Sequence, residues 1–286
     1  MNALVSARGL SKRYGGTTVL HGLDFEIPAG RIVGLIGPNG AGKTTTLKAI
    51  LGLTGFEGEL SVLGLDPRTQ RQELMQQIAF IADVAVLPRW LKVHQALDYV
   101  EGVHPHFNRA KAESFLTRTT IKLGSKVGEL SKGMVTQLHL ALVLAVDAKL
   151  LVLDEPTLGL DILFRKAFYQ TLLTEYVDET RSILITTHQV EEIQHLLTDL
   201  MFIKNGQLVL NSAMDVVTER YTEVLVHPEQ VEAARALNPL HERAVLGRKV
   251  FLFDGITRER LSALGELHVP DIADLFVATM AEGVAA

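Results

Sequence analysis

The sequence predicts an α/β fold with a parallel sheet at its core, and three continuous apolar runs are the main basis for this prediction. They span residues 32–36, 150–153 and 183–185, and each is followed by glycine or by polar residues. Continuous rather than alternating runs are typical of strands that are covered on both faces, as in parallel sheets. Helical spacing between the runs, as at Phe164 and Phe168, predicts helices that cover the sheet.

Other segments of the chain predict additions to this core. Alternation at Leu23, Phe25 and Ile27 indicates a half-exposed strand in an antiparallel N-terminal β subdomain. Strand signals vanish over about residues 88–148, where helical spacing predicts an inserted helical subdomain. Near 205–206 the Asn–Gly pair predicts a hairpin turn. Four apolar residues at helical spacing predict a helix after the third run: Ile193, Leu196, Leu197 and Leu200.

The pattern changes again beyond about residue 221. Four strand signals and two helix signals follow one another there in the order βαββαβ, which predicts a small α+β domain of the ferredoxin-like type. We therefore predict two domains, residues 1–220 and residues 221–286. Trp90, at the start of the helical subdomain, is expected to fill the core, with contact to a membrane protein as the alternative.

Composition excludes several classes of protein. The chain has 286 residues, of which 47% are hydrophobic and 21% charged, so it can bury a substantial core. The absence of cysteine excludes disulfides, iron–sulfur clusters and thiol nucleophiles. A net charge of −5 argues against nucleic acid as a partner. The N-terminus has no signal-peptide pattern, so we expect an intracellular protein. No apolar run reaches the ~20 residues of a membrane span, so we expect no membrane-spanning segment.

The first apolar run leads directly into a phosphate-binding pattern. Such a loop turns successive backbone N–H groups toward a phosphate at the start of a helix, and its lysine bridges two phosphates. A glycine-rich turn with an exposed lysine is the alternative. The predicted nucleotide-binding residues are Gly37, Pro38, Asn39, Gly40, Ala41, Gly42, Lys43, Thr44 and Thr45, and Thr44 is also a predicted Mg²⁺ ligand.

Two carboxylates end the second apolar run. Asp154 can hold Mg²⁺ through water, and Glu155, one residue later, can act as the general base for the water that attacks a γ-phosphate. A purely structural or solvated Asp–Glu pair is the alternative reading of these two residues. Together with the phosphate loop, they predict an active site for nucleotide hydrolysis.

With these motifs in this order, the chain resembles the nucleotide-binding subunits of ABC transporters over about residues 4–210. The resemblance implies a P-loop NTPase (RecA-like) core and assigns the exporter-type variant of that family's signature to Leu130, Ser131, Lys132, Gly133 and Met134. In the family, the signature binds the γ-phosphate of ATP held on a second subunit. A plain Ser131 N-cap of the following helix is the alternative.

The resemblance assigns four further residues. His188 matches the switch histidine that bonds the γ-phosphate, and Asp161 matches a loop residue that contacts the other subunit. Tyr14 lies where the family stacks an aromatic residue on adenine. Asp83 replaces the usual glutamine, or sometimes glutamate, that senses Mg²⁺. An ordinary surface or core residue is the alternative for His188 and for Tyr14.

The resemblance implies an ATPase, with ATP and Mg²⁺ bound, that powers a separate integral membrane permease, in the direction of export. Two copies would enclose two ATP molecules, and the protein would lie on the cytoplasmic face of the cell membrane. A soluble ABC-type protein acting on ribosomes or DNA is one alternative function. A weakly hydrolysing regulator is another, suggested by Asp83 alone.

Overall fold

The computed structural model describes residues 3–82, 87–157, 162–176, 178–188 and 190–281. Its strands are, in chain order, β1 (Ala3–Tyr14), β2 (Thr17–Pro28), β3 (Ile32–Ile36), β4 (Glu57–Val62), β5 (Ile78–Ile81), β6 (Leu150–Asp154), β7 (Ser182–Thr187), β8 (Asp199–Lys204), β9 (Gln207–Ala213), β10 (Tyr221–Val226), β11 (His241–Val245), β12 (Arg248–Asp254) and β13 (Gly265–His268). Its α-helices are α1 (Lys43–Ile50), α2 (Arg71–Met75), α3 (Val93–Val103), α4 (Arg109–Thr117), α5 (Lys132–Leu144), α6 (Ile162–Glu175), α7 (Met214–Arg220), α8 (Val231–Arg235), α9 (Arg258–Leu261) and α10 (Ile272–Ala281).

The largest sheet in the described part of the chain is the core sheet, with the strand order β5-β6-β7-β3-β8-β9. Its first five strands are parallel and β9 is antiparallel. Every residue of β3, β6 and β7 is buried, which confirms the prediction of strands covered on both faces. Because β3, β6 and β7 are neighbours and parallel, Gly37, Asp154, Glu155 and His188 meet along one edge, which we call the carboxyl edge.

The N-terminal sheet has the order β2-β1-β4 and is antiparallel, as predicted. Its apolar face shares one buried cluster with α1 and with part of the core sheet, including Leu20, Leu47 and Leu35. The helix that begins at the phosphate loop is therefore fixed between two sheets.

The inserted segment folds into α3, α4 and α5, which bury an apolar cluster around Leu97, Leu116 and Leu138. Arg109, the first residue of α4, links this helix to α3 through an ion pair with Asp98, and it also pairs with Glu113 one turn later in α4. The expectation that Trp90 fills the core is wrong, because 72% of its surface is exposed.

The C-terminal sheet (β10–β13) has the order β11-β12-β10-β13 and is antiparallel. Helices α8 and α9 contribute Ala234 and Leu261 to a buried cluster with Phe251 of the sheet. Helix α10 instead returns to the core sheet, where Leu275 lies in the same apolar cluster as Phe202. The predicted fold class is confirmed, while the division into residues 1–220 and 221–286 remains a prediction.

The helix predicted from the apolar stripe at residues 193–200 is wrong. Two short 3-10 turns, Val190–Glu192 and Gln194–Leu196, occupy its start, and Leu200 lies in β8, where it pairs with Gly34 of β3. Sheet pairing with β3 and β9 outweighs the local helical spacing. None of the helices in the described ranges combines the length and apolar character needed to cross a membrane.

Candidate active site

The predicted phosphate loop connects β3 to α1, and its glycines are sterically required. A Cβ atom on Gly37 would lie 2.4 Å from the carbonyl oxygen of Ile203, so a larger residue does not fit. Gly40 and Gly42 have φ angles of +81° and +113°, which side chains rarely tolerate. The loop therefore leaves the first backbone N–H groups of α1 open to an anion. Within the predicted set, Pro38, Asn39, Gly40 and Thr44 are exposed, Thr45 is half-buried, and Gly37, Ala41, Gly42 and Lys43 are buried.

The ammonium group of Lys43 is buried against this loop. Its Nζ donates to the carbonyl oxygens of Gly37 at 2.6 Å and Pro38 at 3.3 Å, and it lies 3.9 Å from Oε1 of Glu155. Burial lowers the pKa of Lys43, while the charges of Glu155 and Asp154 oppose this change. An anionic ligand in the loop would favour the charged lysine, because it would replace the lost hydration.

Asp154 and Glu155 both contact Thr186 on the neighbouring strand β7. The Thr186 hydroxyl donates to Oδ1 of Asp154 at 2.5 Å. The backbone N–H of Glu155 donates to the carbonyl oxygen of Thr186 at 3.1 Å and to its hydroxyl at 3.2 Å. Glu155 has a φ angle of +48°, which is uncommon for a residue other than glycine. Sequence reasoning missed Thr186, whose only local signal is its place two residues before His188.

His188 lies beside Glu155 at the carboxyl edge. Its Nδ1 is 2.9 Å from Oε2 of Glu155, and its backbone N–H is 3.4 Å from the same oxygen. The carboxylate of Glu155 thus faces Lys43 with one oxygen and His188 with the other. The Glu155 side chain is 13% exposed and that of His188 is 43% exposed, so the pair is open to solvent on the histidine side.

One cavity of about 410 Å³ connects half of the predicted site residues. It brings Tyr14 together with the phosphate loop and both acidic residues, while His188 joins this set through Glu155. Tyr14 is 46% exposed, and Nζ of Lys12 lies 4.6 Å from its ring centroid. Lys12 is a second residue that sequence reasoning missed, because its contact with Tyr14 depends on the β1 backbone. The cavity is lined by Tyr14, Val19, Pro38, Asn39, Gly40, Gly42, Lys43, Thr44, Thr45, Asp154 and Glu155.

The predicted signature residues lie at the start of α5. The exposed Ser131 is the N-cap of this helix, and its hydroxyl accepts a hydrogen bond from the Met134 N–H at 3.3 Å. This geometry matches the N-cap alternative considered above. Lys132 is also exposed, and Leu130 and Gly133 are half-buried. A role of the signature toward ATP on a second subunit remains a prediction.

Two predicted residues, Asp83 and Asp161, lie outside the described residues. The segments beside Asp161 are anchored on both sides. Before it, the Thr157 hydroxyl lies 3.1 Å from the hydroxyl of the buried Tyr169, and burial raises the pKa of Tyr169. After it, Arg165 on α6 forms an ion pair with Glu192.

The residues of this cavity fit a magnesium ion bound together with phosphate oxygens. Mg²⁺ prefers oxygen ligands and usually takes one or two protein groups alongside waters and substrate phosphates. The carboxylate of Asp154 and the hydroxyl of Thr44 line the same cavity as Lys43. Within the described residues, no group of three or more histidine or acidic side chains could hold a metal by itself, and such a group is not needed here.

Comparison with known proteins places these features in a family. A family model described as ABC transporter matches residues 20–158. The Nod factor export ATP-binding protein I of Burkholderia lata is 35% identical over 224 residues, which are 76% of this chain and 73% of that protein. The protein of the same name from Cupriavidus metallidurans is 31% identical over 285 residues, covering 94% of this chain and 91% of that protein.

Two solved structures are similar in shape. One, described as the structure of the ATP binding subunit of an ABC transporter, is 27% identical with a TM-score of 0.69, and the match covers 75% of this chain and 91% of that one. A bacterial Atm1-family ABC exporter with ATP bound is 21% identical, with a TM-score of 0.66 and coverage of 74% and 39%, and it supports the fold alone. From its match to relatives over most of their length, the chain belongs to the ATP-binding subunits of ABC transporters and is an ATPase.

Proposed function

We propose that this chain is the ATP-hydrolysing subunit of a two-component exporter in which a separate membrane protein forms the transport pathway. The observation that carries the proposal is the placement of the Glu155 carboxylate between Lys43 and His188 at the open end of the phosphate loop. A structural Asp–Glu pair would not require a buried lysine and a histidine on opposite sides of one carboxylate.

The phosphate loop would hold the triphosphate of ATP. Backbone N–H groups of the loop and of the first turn of α1 donate to the β-phosphate. Lys43 would exchange the carbonyl oxygens of Gly37 and Pro38 for oxygens of the β- and γ-phosphates, as its position at the first residue of α1 allows. Tyr14, at another part of the same cavity, would stack on the adenine ring.

Thr44, Asp154 and Asp83 are the residues that we assign to Mg²⁺. When bound, the ion neutralises charge on the phosphate oxygens and favours in-line attack at the γ-phosphorus. Thr44 and Asp154 line the cavity, whereas Asp83 is assigned from its sequence position alone.

Glu155 would act as the general base in hydrolysis. A water oxygen forms a bond to the γ-phosphorus as the bond to the ADP oxygen breaks, and the water proton passes to the Glu155 carboxylate. His188, whose Nδ1 lies 2.9 Å from Oε2 of Glu155, would orient the carboxylate and donate to the γ-phosphate. Lys43 would stabilise the negative charge that the leaving phosphate oxygens develop.

A second copy of the chain would complete each site. The exposed N-terminus of α5 would present Ser131 and the Gly133 N–H to ATP held on the other copy. Asp161 would contact the other copy beside this position. ATP binding would then close the dimer, and hydrolysis would reopen it.

Export and the membrane partner are inferred from relatives. The similar proteins from Burkholderia lata and Cupriavidus metallidurans are named for the export of Nod factors. From these relatives we assign the direction of transport to this chain. We assign no substrate, because a separate membrane subunit would select the transported molecule. The chain would then lie at the cytoplasmic face of the membrane, bound to that subunit.

Two variants test this proposal. Lys43→Ala should abolish ATP binding measured by calorimetry, while Lys48→Ala, an exposed lysine on the same helix, should bind as the wild type does. Glu155→Gln should bind ATP, lose hydrolysis and form a long-lived dimer on size-exclusion chromatography. Wild-type turnover in Lys43→Ala or Glu155→Gln would contradict these roles. Binding by the wild type without steady-state hydrolysis would instead favour a regulator.

A further inference from the structure

Thr186 is a buried polar residue that the motifs do not account for. It precedes the last residue of β7, has no exposed surface and pairs directly with Asp154 across the parallel β6–β7 register. A hydroxyl in this position must find hydrogen-bond partners or destabilise the fold. Its partners are the two acidic residues of the candidate active site.

The Thr186 hydroxyl makes one donated and one accepted hydrogen bond. It donates to Oδ1 of Asp154 at 2.5 Å and accepts from the backbone N–H of Glu155 at 3.2 Å. The same N–H also reaches the Thr186 carbonyl oxygen at 3.1 Å, so it is shared between two acceptors of one residue. One side chain thus contacts the carboxylate of Asp154 and the backbone of Glu155.

The backbone contact matters because Glu155 has a left-handed conformation. Its φ of +48° is one that residues other than glycine adopt only when the surroundings hold them there. This conformation directs the carboxylate toward Lys43 and His188 rather than along the strand. The two acceptors on Thr186 hold the N–H of Glu155 at the point where β6 turns.

We propose that Thr186 is a positioning residue for both acidic groups: its hydroxyl orients the Asp154 carboxylate for Mg²⁺ and anchors the turn that presents Glu155 to the attacking water. This inference rests on the proposed function of Asp154 and Glu155. Residues that orient metal-binding groups typically contribute ten- to a hundredfold to metal affinity or activity.

The chain supplies a matched control for burial of a threonine. Thr222, on β10, is 1% exposed, and its hydroxyl has no hydrogen-bond partner among the described residues. Substitution by valine replaces the hydroxyl by a methyl group of similar size at either position. Only at Thr186 does the change take hydrogen bonds from Asp154 and Glu155.

The experiment compares Thr186→Val, Thr186→Ser and Thr222→Val with the wild type. Steady-state kinetics give kcat and KM for ATP. Calorimetry gives the dissociation constant of ADP with Mg²⁺ and with EDTA, and the ratio of the two measures the contribution of the metal without turnover. Thermal unfolding followed by circular dichroism shows which variants are folded.

We expect Thr186→Val to lower kcat about ten- to a hundredfold and to reduce the Mg²⁺-dependent gain in ADP affinity about tenfold, with ADP affinity in EDTA unchanged. Thr186→Ser retains the hydroxyl and should remain within about threefold of the wild type. Thr222→Val should match the wild type in kcat, in KM and in both ADP dissociation constants, and its unfolding temperature should be equal to or above that of the wild type. Wild-type kcat and metal dependence in Thr186→Val would overturn the inference, as would a Thr186→Ser variant as impaired as Thr186→Val.

If Thr186→Val does not fold, Thr186→Ala and Thr186→Ser decide the question, because these two differ only in the hydroxyl oxygen. Equal kcat and equal metal dependence in this pair would overturn the inference. A failure of the proposed function looks different: the wild type itself would then show no hydrolysis, or Glu155→Gln would retain it. If wild-type hydrolysis requires Glu155 and Thr186→Val is fully active, the inference about Thr186 is overturned while the proposed function stands.

Discussion

The carboxyl edge and the C-terminal sheet place their polar groups in opposite ways. Beside the carboxyl edge, charged and hydroxyl side chains are buried, among them Lys43, Asp154, Thr157 and Thr186. Among the described residues from 221 onward, Thr222 is the buried polar side chain. The charges of the C-terminal part instead form ion pairs at or near the surface, such as Arg220–Asp254, Arg235–Glu242, Arg243–Glu223 and Arg248–Glu266.

This difference in the burial of polar groups indicates which region serves catalysis and which serves stability. Burying a charged or hydroxyl group costs free energy unless each group is paired, so a cluster of them needs a purpose other than packing. Exposed ion pairs cost little and contribute little. The carboxyl edge should therefore respond to substitution mainly in catalysis, and the C-terminal part mainly in stability or hardly at all.

The largest effect should come from the packing of α10 on the core. Leu275→Ala should lower the free energy of unfolding by about 2–5 kcal/mol, because Leu275 is fully buried and the cavity left behind adds to the lost transfer energy. Urea denaturation measures this change. ATP turnover per folded molecule should stay at the wild-type level, since α10 lines no part of the nucleotide cavity.

Val277→Ala is the matched control for this prediction. Val277 is 54% exposed on the same helix, so its truncation should change the free energy of unfolding by less than about 0.5 kcal/mol. Equal losses in the Leu275 and Val277 variants would contradict the packing seen for α10.

His188→Ala should lower kcat by about 100- to 1,000-fold, equivalent to about 3–4 kcal/mol of transition-state stabilisation. The histidine both orients Glu155 and is assigned to the γ-phosphate, while the loop that binds the other phosphates stays intact, so KM should change little. Steady-state ATPase kinetics provide both constants. His268→Ala, at an exposed position in the C-terminal sheet, should leave kcat unchanged, and a small loss in His188→Ala would remove His188 from the catalytic set.

Much of the site could be predicted from the sequence because its parts are local. The phosphate loop is one continuous pattern, and Asp154 and Glu155 follow directly from the end of an apolar run. Parallel strands then bring these parts to one edge without further information. The loop and both acidic residues lie around one cavity in the structure.

Two of the features that the sequence did not predict depend on pairing between distant segments. Thr186 contacts Asp154 only because β6 and β7 are parallel in a particular register. The apolar stripe from Ile193 to Leu200 fits a helix by spacing. Leu200 nevertheless lies in β8, where it pairs with Gly34 on one side and Ser212 on the other. Local periodicity does not show whether distant strands will pair with a segment and hold it in a sheet.

Two glycines with similar steric limits test the contrast between the regions directly. At Gly37, an added Cβ atom would lie 2.4 Å from the carbonyl oxygen of Ile203. At Gly265, it would lie 2.2 Å from the carbonyl oxygen of Leu225. Each alanine substitution should destabilise the fold by about 1–3 kcal/mol, because backbone must move. Gly37→Ala should also weaken ATP binding about tenfold or more, since the displaced backbone carries the phosphate-binding N–H groups.

Calorimetry with ATP and urea denaturation separate the two outcomes. Gly265→Ala should bind ATP as tightly as the wild type once it is folded. Gly55→Ala, where an added Cβ meets open space, should be neutral in both measurements. Equal ATP affinity in Gly37→Ala and Gly265→Ala would show that the loop tolerates the displacement and would break the contrast.

The smallest effect should come from the surface ion pairs of the C-terminal sheet. Glu242 accepts hydrogen bonds from Arg235 at 2.8 and 2.9 Å and lies 2.7 Å from Nζ of Lys249. The Arg235 guanidinium, helped by Lys249, lowers the pKa of Glu242 to about 2 from its ordinary value of 4.5. Because solvent screens these charges, Glu242→Gln should change the free energy of unfolding at pH 7 by less than about 1 kcal/mol.

The pH dependence of this small difference follows from the lowered pKa of Glu242. A carboxyl group whose pKa is depressed in the folded state contributes its stability above the pKa of the unfolded state, and the contribution is lost as the pH falls through the folded value. The stability difference between the wild type and Glu242→Gln should therefore be constant from pH 7 to about 5 and shrink between about 4.5 and 2. Urea denaturation across this range measures it, with Glu229→Gln, at an exposed position outside the sheet, as the control. A difference that stays constant, or grows, as the pH falls to about 2 would mean that Arg235 stabilises the Glu242 carboxylate no better in the folded protein than in the unfolded chain.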